Sequence, residues 1–502
     1  MAQFRVRLAQ RGWGMSFVRE RPLGYSFWFM LFALSLIGSL AFVPVVIPLN
    51  LENCTTIFTF ALIGLASLIG IYTTTYHRPF TLASTHWVFV LFFFFYAPLV
   101  QYITMDPPIM DNVGCFFSNA LTTNLVILGW CFFVWVAYRF TYDKRHVVDK
   151  APKPYLPPQN PDYVIVLGLV LFSTAVAVEV YGLSALTTRY SIGQAAQQLN
   201  NTAVQGIIGH FCRAVPIISL ILVWINYQKR DVKFWAMIGI LAACSFLTDD
   251  PISVARFWAG TLGLGVIGTL LRRQKITGLW LPILLVLGMI LVMPVLNLSR
   301  RSSFSQINWG DYSPVANLAQ TLDFGDFDAY QMLSNTIYMP DDQISLGWQW
   351  FGNTFYILPR NWWPNKPGGS GAYVANYYGL GFTDLCEPLP AEGYVNFGFP
   401  GVVVWALIFG WFLAYLDRLY WSTINRPDSV PPKINQLVYP FNCGLVFYMM
   451  RGDYSASFQD MSAFILATWG VMWLAYPMAA RRRNNRFFAK RADATTIAHG
   501  SR

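Results

Sequence analysis

The sequence has little charge, because only 12% of its 502 residues are Asp, Glu, Lys or Arg. A soluble globular chain carries roughly 25% charged residues, so this chain is too poor in charge to be a soluble enzyme. Hydrophobic residues make up 55% of the chain and aromatic residues 17%. Many apolar runs reach the ~20 residues that cross a bilayer as a helix. They are continuous, unlike the alternating ~10-residue segments of a membrane barrel. The composition therefore indicates an all-α polytopic membrane protein.

The sequence also lacks the short motifs of several enzyme classes. Its seven cysteines form no CxxC pair, which argues against a metal site or a thiol redox motif. It contains no GxSxG, HExxH or P-loop motif, and no dinucleotide-binding glycine motif that precedes a helix. We therefore expect no metal and no cofactor. The net charge of +10 lies mostly beside hydrophobic runs, which favours topology bias over nucleic-acid binding.

The apolar runs predict about twelve transmembrane helices. They lie near 25–49, 53–75, 85–104, 118–139, 163–181, 206–227, 233–248, 253–271, 277–298, 397–417, 436–450 and 458–479. The resulting division of the chain is helices 1 to 9 in 1–298, a large loop in 299–396, helices 10 to 12 in 397–480 and a basic tail in 481–502.

Basic residues predict the orientation of these helices. With twelve spans, the basic N-terminal tail, the 140–160 loop, the 272–275 turn and the C-terminal tail all fall on one side of the membrane. That side is the cytoplasm by the positive-inside rule. We expect a multi-pass protein of a bacterial inner membrane with both termini in the cytoplasm. The 299–396 loop then lies in the periplasm, and loops of such length are usually functional.

Four arginines are predicted near the periplasmic ends of helices, where the positive-inside rule disfavours them. They are Arg213, Arg256, Arg300 and Arg451. One interpretation for each of them is snorkelling or a structural ion pair, for example with Asp453 or Asp250. The other is a shared anion site, because guanidinium groups bind phosphate oxygens in bidentate fashion and keep their charge. A diphosphate at the outer leaflet is the ligand that this second interpretation predicts.

Two carboxylates of the loop are candidate general bases. Glu392 lies directly before a predicted helix, close to the membrane surface, and Asp328 lies in the sequence FGDFDAYQ. A carboxylate placed there can accept a proton from a sugar hydroxyl. The alternative for Glu392 is a salt bridge that holds the loop down. The aromatic residues of the loop have two interpretations as well, an interfacial belt or a surface that stacks on sugar rings.

Two motifs in the loop resemble those of the oligosaccharide repeat-unit polymerases, the Wzy-type O-antigen polymerases. The first is LPRNWWPNKPGG, with Arg360, Trp363 and Lys366 at matching positions. The second is PAEGYVNFGFPG, with Glu392, Tyr394, Asn396, Gly398 and Gly401.

Two further regions are similar to the same family. RGDYSASF carries Arg451, and the stretch from TTRYSIGQ to HFCRAVP carries Arg189 and Arg213. The resemblance covers about residues 160–475. The chain departs from the family pattern where Val254 and Ala255 precede Arg256 in place of Gly or Ser.

The resemblance implies a C-type glycosyltransferase fold and a metal-independent polymerase. Its substrates would be undecaprenyl-diphosphate-linked oligosaccharides, and the growing glycan would move onto the non-reducing end of a new lipid-linked unit. Glu392 would act as the base, with Asp328 as second choice. The assigned diphosphate ligands are Arg213, Arg256, Arg300 and Arg451, with Arg360 and Lys366 from the loop. The assigned sugar-binding residues are Trp363, Tyr394, Asn396 and Arg189.

Two other functions remain open. An O-antigen ligase would use the same donor but, by family habit, a His in the periplasmic loop, and 299–396 contains no His. A transporter or flippase of lipid-linked oligosaccharides often shows internal symmetry, which this sequence lacks. The sequence leaves open the sugars and their linkage, the surface polymer, the oligomeric state and the binding of a chain-length regulator.

Overall fold

The computed structural model describes most of the membrane region and much of the long loop. The described residues are 23–46, 50–75, 78, 80–105, 115–142, 161–183, 186, 203–227, 230–250, 254, 256–271, 279–292, 327–383, 385–423 and 433–476. Within these ranges the chain is helical and forms no strand. The helices are α1 (Leu23–Val46), α2 (Leu51–Thr75), α3 (Leu82–Thr104), α4 (Ala120–Tyr142), α5 (Tyr163–Tyr181), α6 (Ala203–Asn226), α7 (Val232–Thr248), α8 (Arg256–Leu271), α9 (Trp280–Val292), α10 (Ala329–Tyr338), α11 (Trp348–Thr354), α12 (Ser370–Tyr377), α13 (Leu389–Trp421), α14 (Ile434–Arg451) and α15 (Tyr454–Ala475).

A helix occupies each of the twelve segments in which the apolar runs predict one. Six helical stretches in the described ranges are long and apolar enough to cross a membrane by themselves. They are Leu51–Thr75, Leu82–Thr104, Ala120–Tyr142, Tyr163–Tyr181, Gly209–Asn226 and Leu389–Trp421. The chain therefore has the character of an α-helical, multi-pass membrane protein. A total of twelve spans stays a prediction.

The long helices form two groups that meet at α14. In the first group α13 packs along α4, and α2 and α3 pack beside them. In the second group α6 packs between α5 and α15. Helix α14 contributes buried side chains to both groups and packs along α8. The arrangement brings the C-terminal end of α14 next to the N-terminal ends of α8 and α15.

A buried carboxylate joins four helices near the C-terminal end of α13. The Asp417 side chain accepts hydrogen bonds from the backbone N–H of Leu82 (2.8 Å) and from the hydroxyls of Tyr138 (2.9 Å) and Tyr439. Buried carboxylates are tolerated when donors surround them. We assign Asp417 a structural role, since its contacts tie α3, α4 and α14 to α13.

Helix α13 bends sharply at Phe397 and Gly398, close to its N-terminal end. Gly398 has φ +65° and ψ −153°, a conformation essentially restricted to glycine. The bend presses Gly393 against Gly401 so closely that a Cβ on either residue would overlap the other's backbone. The glycines of PAEGYVNFGFPG therefore set the angle between the first two turns of α13, which carry Glu392, and the rest of the helix.

We expect Gly398→Ala to destabilise the protein by about 1–3 kcal/mol, because alanine is strained at this φ and ψ. Thermal unfolding in detergent measures the effect. Gly168→Ala is the matched control, since a Cβ at Gly168 in α5 meets no atom within 4 Å. Alanine raises helix propensity there, so the control should be neutral or slightly stabilising. Equal stability of the two variants would contradict this explanation of the bend.

The described part of the long loop is ordered and lies against one end of the helix bundle. The Gln101 side chain donates to the carbonyl of Phe327 (3.3 Å), and the Tyr330 hydroxyl donates to Asn124 Oδ1 (2.9 Å). On the other side, the hydroxyls of Tyr356 and Ser462 lie 2.6 Å apart. These contacts place α10 to α12 over the N-terminal ends of α4 and α15. Residues 299–326 lie outside the described ranges.

Candidate functional site

Glu392 lies in the first turn of α13, under the long loop, and is fully buried. Its Oε2 accepts a hydrogen bond from the Ser370 hydroxyl (2.7 Å), and its Oε1 accepts one from the backbone N–H of Tyr454 (3.0 Å). The side chain therefore joins the start of α12 and the start of α15 to α13. No salt bridge of Glu392 occurs among the described residues, and a bridge that holds the loop down stays a prediction.

Asp453 forms a hydrogen-bonded carboxyl pair with Glu392. Its Oδ1 caps α15 by accepting from the N–H of Ser455 (2.7 Å), and its Oδ2 accepts from the N–H of Gly371 (3.4 Å). Burial raises the pKa of Asp453. Two carboxyl groups that hydrogen-bond each other must share a proton. Asp453 is partly exposed while Glu392 is not, so Asp453 is the accessible member of the pair.

Arg451 pairs with Asp328, at 3.1 Å between Nη2 and Oδ1. The Cys386 thiol donates to the same oxygen at 2.9 Å, and burial raises the pKa of that thiol, so it keeps its proton. The sequence offered Asp453 and Asp250 as examples of ion-pair partners for these arginines, and Asp328 was not among them. Because it pairs with Arg451, Asp328 positions the guanidinium rather than standing alone as a base.

Glu387 is a buried carboxyl group that the sequence analysis missed. Its Oε1 accepts from the Thr336 hydroxyl (2.8 Å), and its Oε2 has no hydrogen-bond partner among the described residues. Burial, followed by the nearby charge of Glu392, raises its pKa well above the usual range. The only signal in the sequence was its position five residues before Glu392.

This raised pKa predicts how stability depends on pH. The folded state keeps a proton on Glu387 that the unfolded chain loses near pH ~4.3, so stability falls as pH rises above that value. Glu387→Gln removes this dependence while it keeps the acceptor for Thr336. We expect the melting temperature of the wild type, relative to Glu387→Gln, to fall between pH 5 and pH 8. A difference that is constant over this range would show that Glu387 titrates normally.

The first turn of α8 lies close to three arginines. Arg256 is the first residue of this helix, and the Arg451 guanidinium lies over the ring of Phe257, 5.0 Å from its centroid. Trp258 donates to Asp249 Oδ1 (3.0 Å), and the charge of Arg213 acts on Asp249. The N-terminal end of a helix carries a partial positive charge and attracts anions. Three arginines therefore lie around one helix terminus, with the carboxyl groups of Asp249 and Asp328 beside two of them.

Arg213 has a guanidinium N–H that finds no protein partner among the described residues. Its guanidinium packs over the ring of Tyr181, 4.2 Å from the centroid, and its Nε is buried without a hydrogen-bond partner among the described residues. One turn earlier on α6, His210 Nδ1 lies 2.7 Å from Asp460 Oδ1. A buried guanidinium N–H without a protein acceptor is costly unless a ligand or water supplies one.

The structure does not bring all of the predicted cations to this place. Arg360 donates to the carbonyl of Lys366 (2.7 Å), and Lys366 donates to the carbonyls of Tyr356 (2.7 Å) and Leu358 (3.1 Å). Burial, and then the charge of Arg360, lower the pKa of Lys366. In the described structure these two cations therefore stabilise their own loop. Arg189 and Arg300 lie outside the described residues.

The predicted sugar-binding residues differ in exposure. Tyr394 is buried and donates to the carbonyl of Ile337 (3.3 Å). Asn396 is buried, and its Oδ1 accepts from the N–H of Trp350 (3.0 Å). Both residues position the loop on α13. Trp363 is half-buried and packs edge-on against Trp348, with 5.3 Å between ring centroids, so it is the one of the three with a partly open surface.

Comparisons with protein-family models, with curated proteins and with solved structures find no match to this chain. In the part of the chain that the structure describes, no group of three or more His, Cys, Asp or Glu side chains is arranged to hold a metal ion. A metal-independent reaction stays a prediction. The features that bear on function are therefore the carboxyl pair and the arginines around α8.

Proposed function

We propose that the chain is a polysaccharide polymerase, a membrane glycosyltransferase that joins undecaprenyl-diphosphate-linked oligosaccharide repeat units. The observation that supports this most is the joint position of two groups. Arg213, Arg256 and Arg451 surround the first turn of α8, and the Glu392–Asp453 pair lies at the same end of the bundle, beside the last residue of α14. The arginines suit a leaving diphosphate, and the carboxyl pair suits an acceptor hydroxyl.

The donor diphosphate binds at the arginines around α8. Guanidinium groups bind phosphate oxygens in bidentate fashion, and the helix terminus adds favourable electrostatics. As the bond between the anomeric carbon and the diphosphate oxygen breaks, the diphosphate takes the electron pair. Preorganised positive charge stabilises the developing charge of the leaving group.

The acceptor hydroxyl reacts at the carboxyl pair. The hydroxyl oxygen forms the new bond to the anomeric carbon from the opposite face, and its proton moves to the pair through the accessible Asp453. Glu392 is the buried member that shares the proton. This proposal keeps Glu392 in the acid–base machinery but assigns Asp453 the direct contact. Asp328 acts indirectly, through its ion pair with Arg451. Trp363 is half-buried and is the candidate residue for stacking on a sugar ring.

The active site faces the periplasm of a bacterium whose inner membrane holds the protein. Basic residues at the other ends of the helices support this orientation. Among the described residues, these include Arg139 at the end of α4, Arg230 before α7, Arg418 near the end of α13 and Lys433 before α14. The positive-inside rule places that end in the cytoplasm, together with both termini.

A transporter of lipid-linked oligosaccharides is the second candidate. The pair of His210 and Asp460 favours it, because ionisable pairs inside membrane segments often belong to transport or proton pathways. Surface glycan from a deletion strain separates the two functions. Loss of a polymerase leaves lipid capped with a single repeat unit, and complementation restores a ladder. Loss of the transporter leaves no surface sugar at all.

A further inference from the structure

An apolar cavity of about 370 Å³ lies between α8, α9 and α14, beside the arginine site. Its wall includes Leu264, Ile267, Leu284, Met289 and Phe447, and Arg256 is the one charged residue among the described residues that line it. An apolar wall of this kind offers a saccharide few hydrogen bonds. The chemistry of the wall fits a hydrocarbon chain.

The charged residue lies at one end of this cavity. Arg256 is the first residue of α8, and the lining continues along the helix to Ile267. At 1.5 Å per residue, this stretch is roughly 16 Å long. The cavity is therefore an elongated apolar groove that begins at Arg256 and runs along α8.

Glycines make the groove wide. A Cβ built on Gly260, Gly263 or Gly288 would meet no atom within 4 Å. Two other glycines of these helices behave differently, because a Cβ on Gly265 would overlap Phe441 and one on Gly444 would overlap Thr261. Close helix packing explains why glycine is needed at Gly265 and Gly444. It does not explain the glycines at 260, 263 and 288. Apolar surface that other helices leave uncovered in a membrane protein is in contact with hydrocarbon, so a lipid chain is the expected occupant.

We propose that this groove binds the isoprenoid chain of the lipid-linked donor, with the donor's diphosphate at Arg256. The inference rests on the proposed function and adds a binding site for the hydrophobic part of its substrate. Charge complementarity identifies the occupant, since an anionic headgroup meets Arg256 and the N-terminal end of α8 while the chain continues along the apolar wall. The groove thereby fixes the depth at which the anomeric carbon meets the carboxyl pair.

Variants that fill the groove without disturbing the packing test this site. Gly263→Leu and Gly288→Leu place a side chain in open space, and Gly239→Leu and Gly470→Leu are matched controls on α7 and α15, where a Cβ also meets no atom within 4 Å. Elongation is measured with one repeat unit carried on undecaprenyl diphosphate or on a carrier with a single isoprene unit. We expect the KM for the undecaprenyl substrate to rise at least tenfold in the groove variants. The KM for the substrate on the short carrier should change less than twofold in all four variants.

A binding measurement separates this inference from the proposed function. A photoreactive undecaprenyl diphosphate without sugar should label residues 256–292 of the wild-type protein, at least tenfold more than in Gly263→Leu, even if no elongation occurs. Equal labelling of the wild type and Gly263→Leu would overturn the inference. Equal labelling of the groove by photoreactive phosphatidylglycerol would also overturn it, since the groove would then hold ordinary bilayer lipid. The inference would likewise be overturned if the groove variants had unchanged KM values for both carriers.

Discussion

Replacing Arg213 by glutamine is expected to slow glycan elongation about 100- to 1,000-fold, the usual effect of removing one preorganised donor from a developing negative charge. The buried Nε of Arg213 has no protein acceptor in the described structure, so we expect a bound diphosphate to provide one. Arg213→Lys should restore only part of the rate, because an ammonium keeps the charge but loses the bidentate geometry. Purified protein in liposomes, supplied with lipid-linked repeat units, provides the rate.

Arg230→Gln is the matched control for this prediction. Arg230 also packs over aromatic rings, with 4.5 Å to the centroid of Trp224 and 4.2 Å to that of Phe234, but it lies before α7 at the opposite end of the bundle. Its replacement should change the rate less than threefold. If the two glutamine variants elongate at the same rate, Arg213 is a structural cation and the diphosphate site is misplaced.

Replacing Glu392 by glutamine is expected to lower the elongation rate about 100- to 10,000-fold, the range that general acid–base groups contribute. The amide preserves the local structure, because its oxygen can accept from the N–H of Tyr454 and its NH₂ can donate to the Ser370 hydroxyl. Asp453→Asn should have an effect of similar size. Melting temperatures near the wild-type value would show that the loss is chemical and not structural.

The exposed Asp342 of the same loop provides a carboxylate control, and Asp342→Asn should leave the rate unchanged. The pH profile adds a second readout. An ordinary aspartate titrates at pH ~4. Because burial raises the pKa of Asp453, the acid limb of the wild-type rate profile should lie above that pH. Full activity in Glu392→Gln and Asp453→Asn would mean that the pair only clamps α12, α13 and α15 together.

Much of the fold could be predicted from the sequence, because hydropathy reports burial in the membrane directly. A helix lies at every predicted segment, and the largest error is at α13, which begins at Leu389 rather than near 397. Hydropathy placed the boundary after the polar turn that carries Glu392. The bend at Phe397 and Gly398 lets this polar turn remain helical at an angle to the apolar part. The glycines signalled a special backbone there, but not its geometry.

The sequence predicted individual residues of the candidate site but not which of them contact one another. Charge inside or at the end of an apolar helix is unusual enough in such a chain to single out Arg213, Arg256 and Arg451. Their partners are set by contacts between distant parts of the chain, which no local pattern reveals. Asp328 and Arg451 are 123 residues apart, and Glu392 and the N–H of Tyr454 are 62 apart. Asp453 therefore entered the sequence analysis only as a candidate ion-pair partner.

The PAEGYVNFGFPG motif has a structural explanation for several of its positions. Tyr394 and Asn396 attach the loop to α13, and Gly393, Gly398 and Gly401 shape the bend. Among its residues, Glu392 has the contact with Asp453 that suits acid–base chemistry. The motif thus holds a carboxyl group in a fixed place.

Elongation by the purified protein tests the central claim most directly. The protein is placed in liposomes with one undecaprenyl-diphosphate-linked repeat unit as the sole substrate, with a metal chelator and without nucleotide sugar, and the glycans are separated by size. We predict a ladder that grows by one repeat unit per step, with one undecaprenyl diphosphate released for each new bond. A substrate that keeps its single-unit length, or that only changes leaflet, would contradict the assignment of this chain as a polymerase.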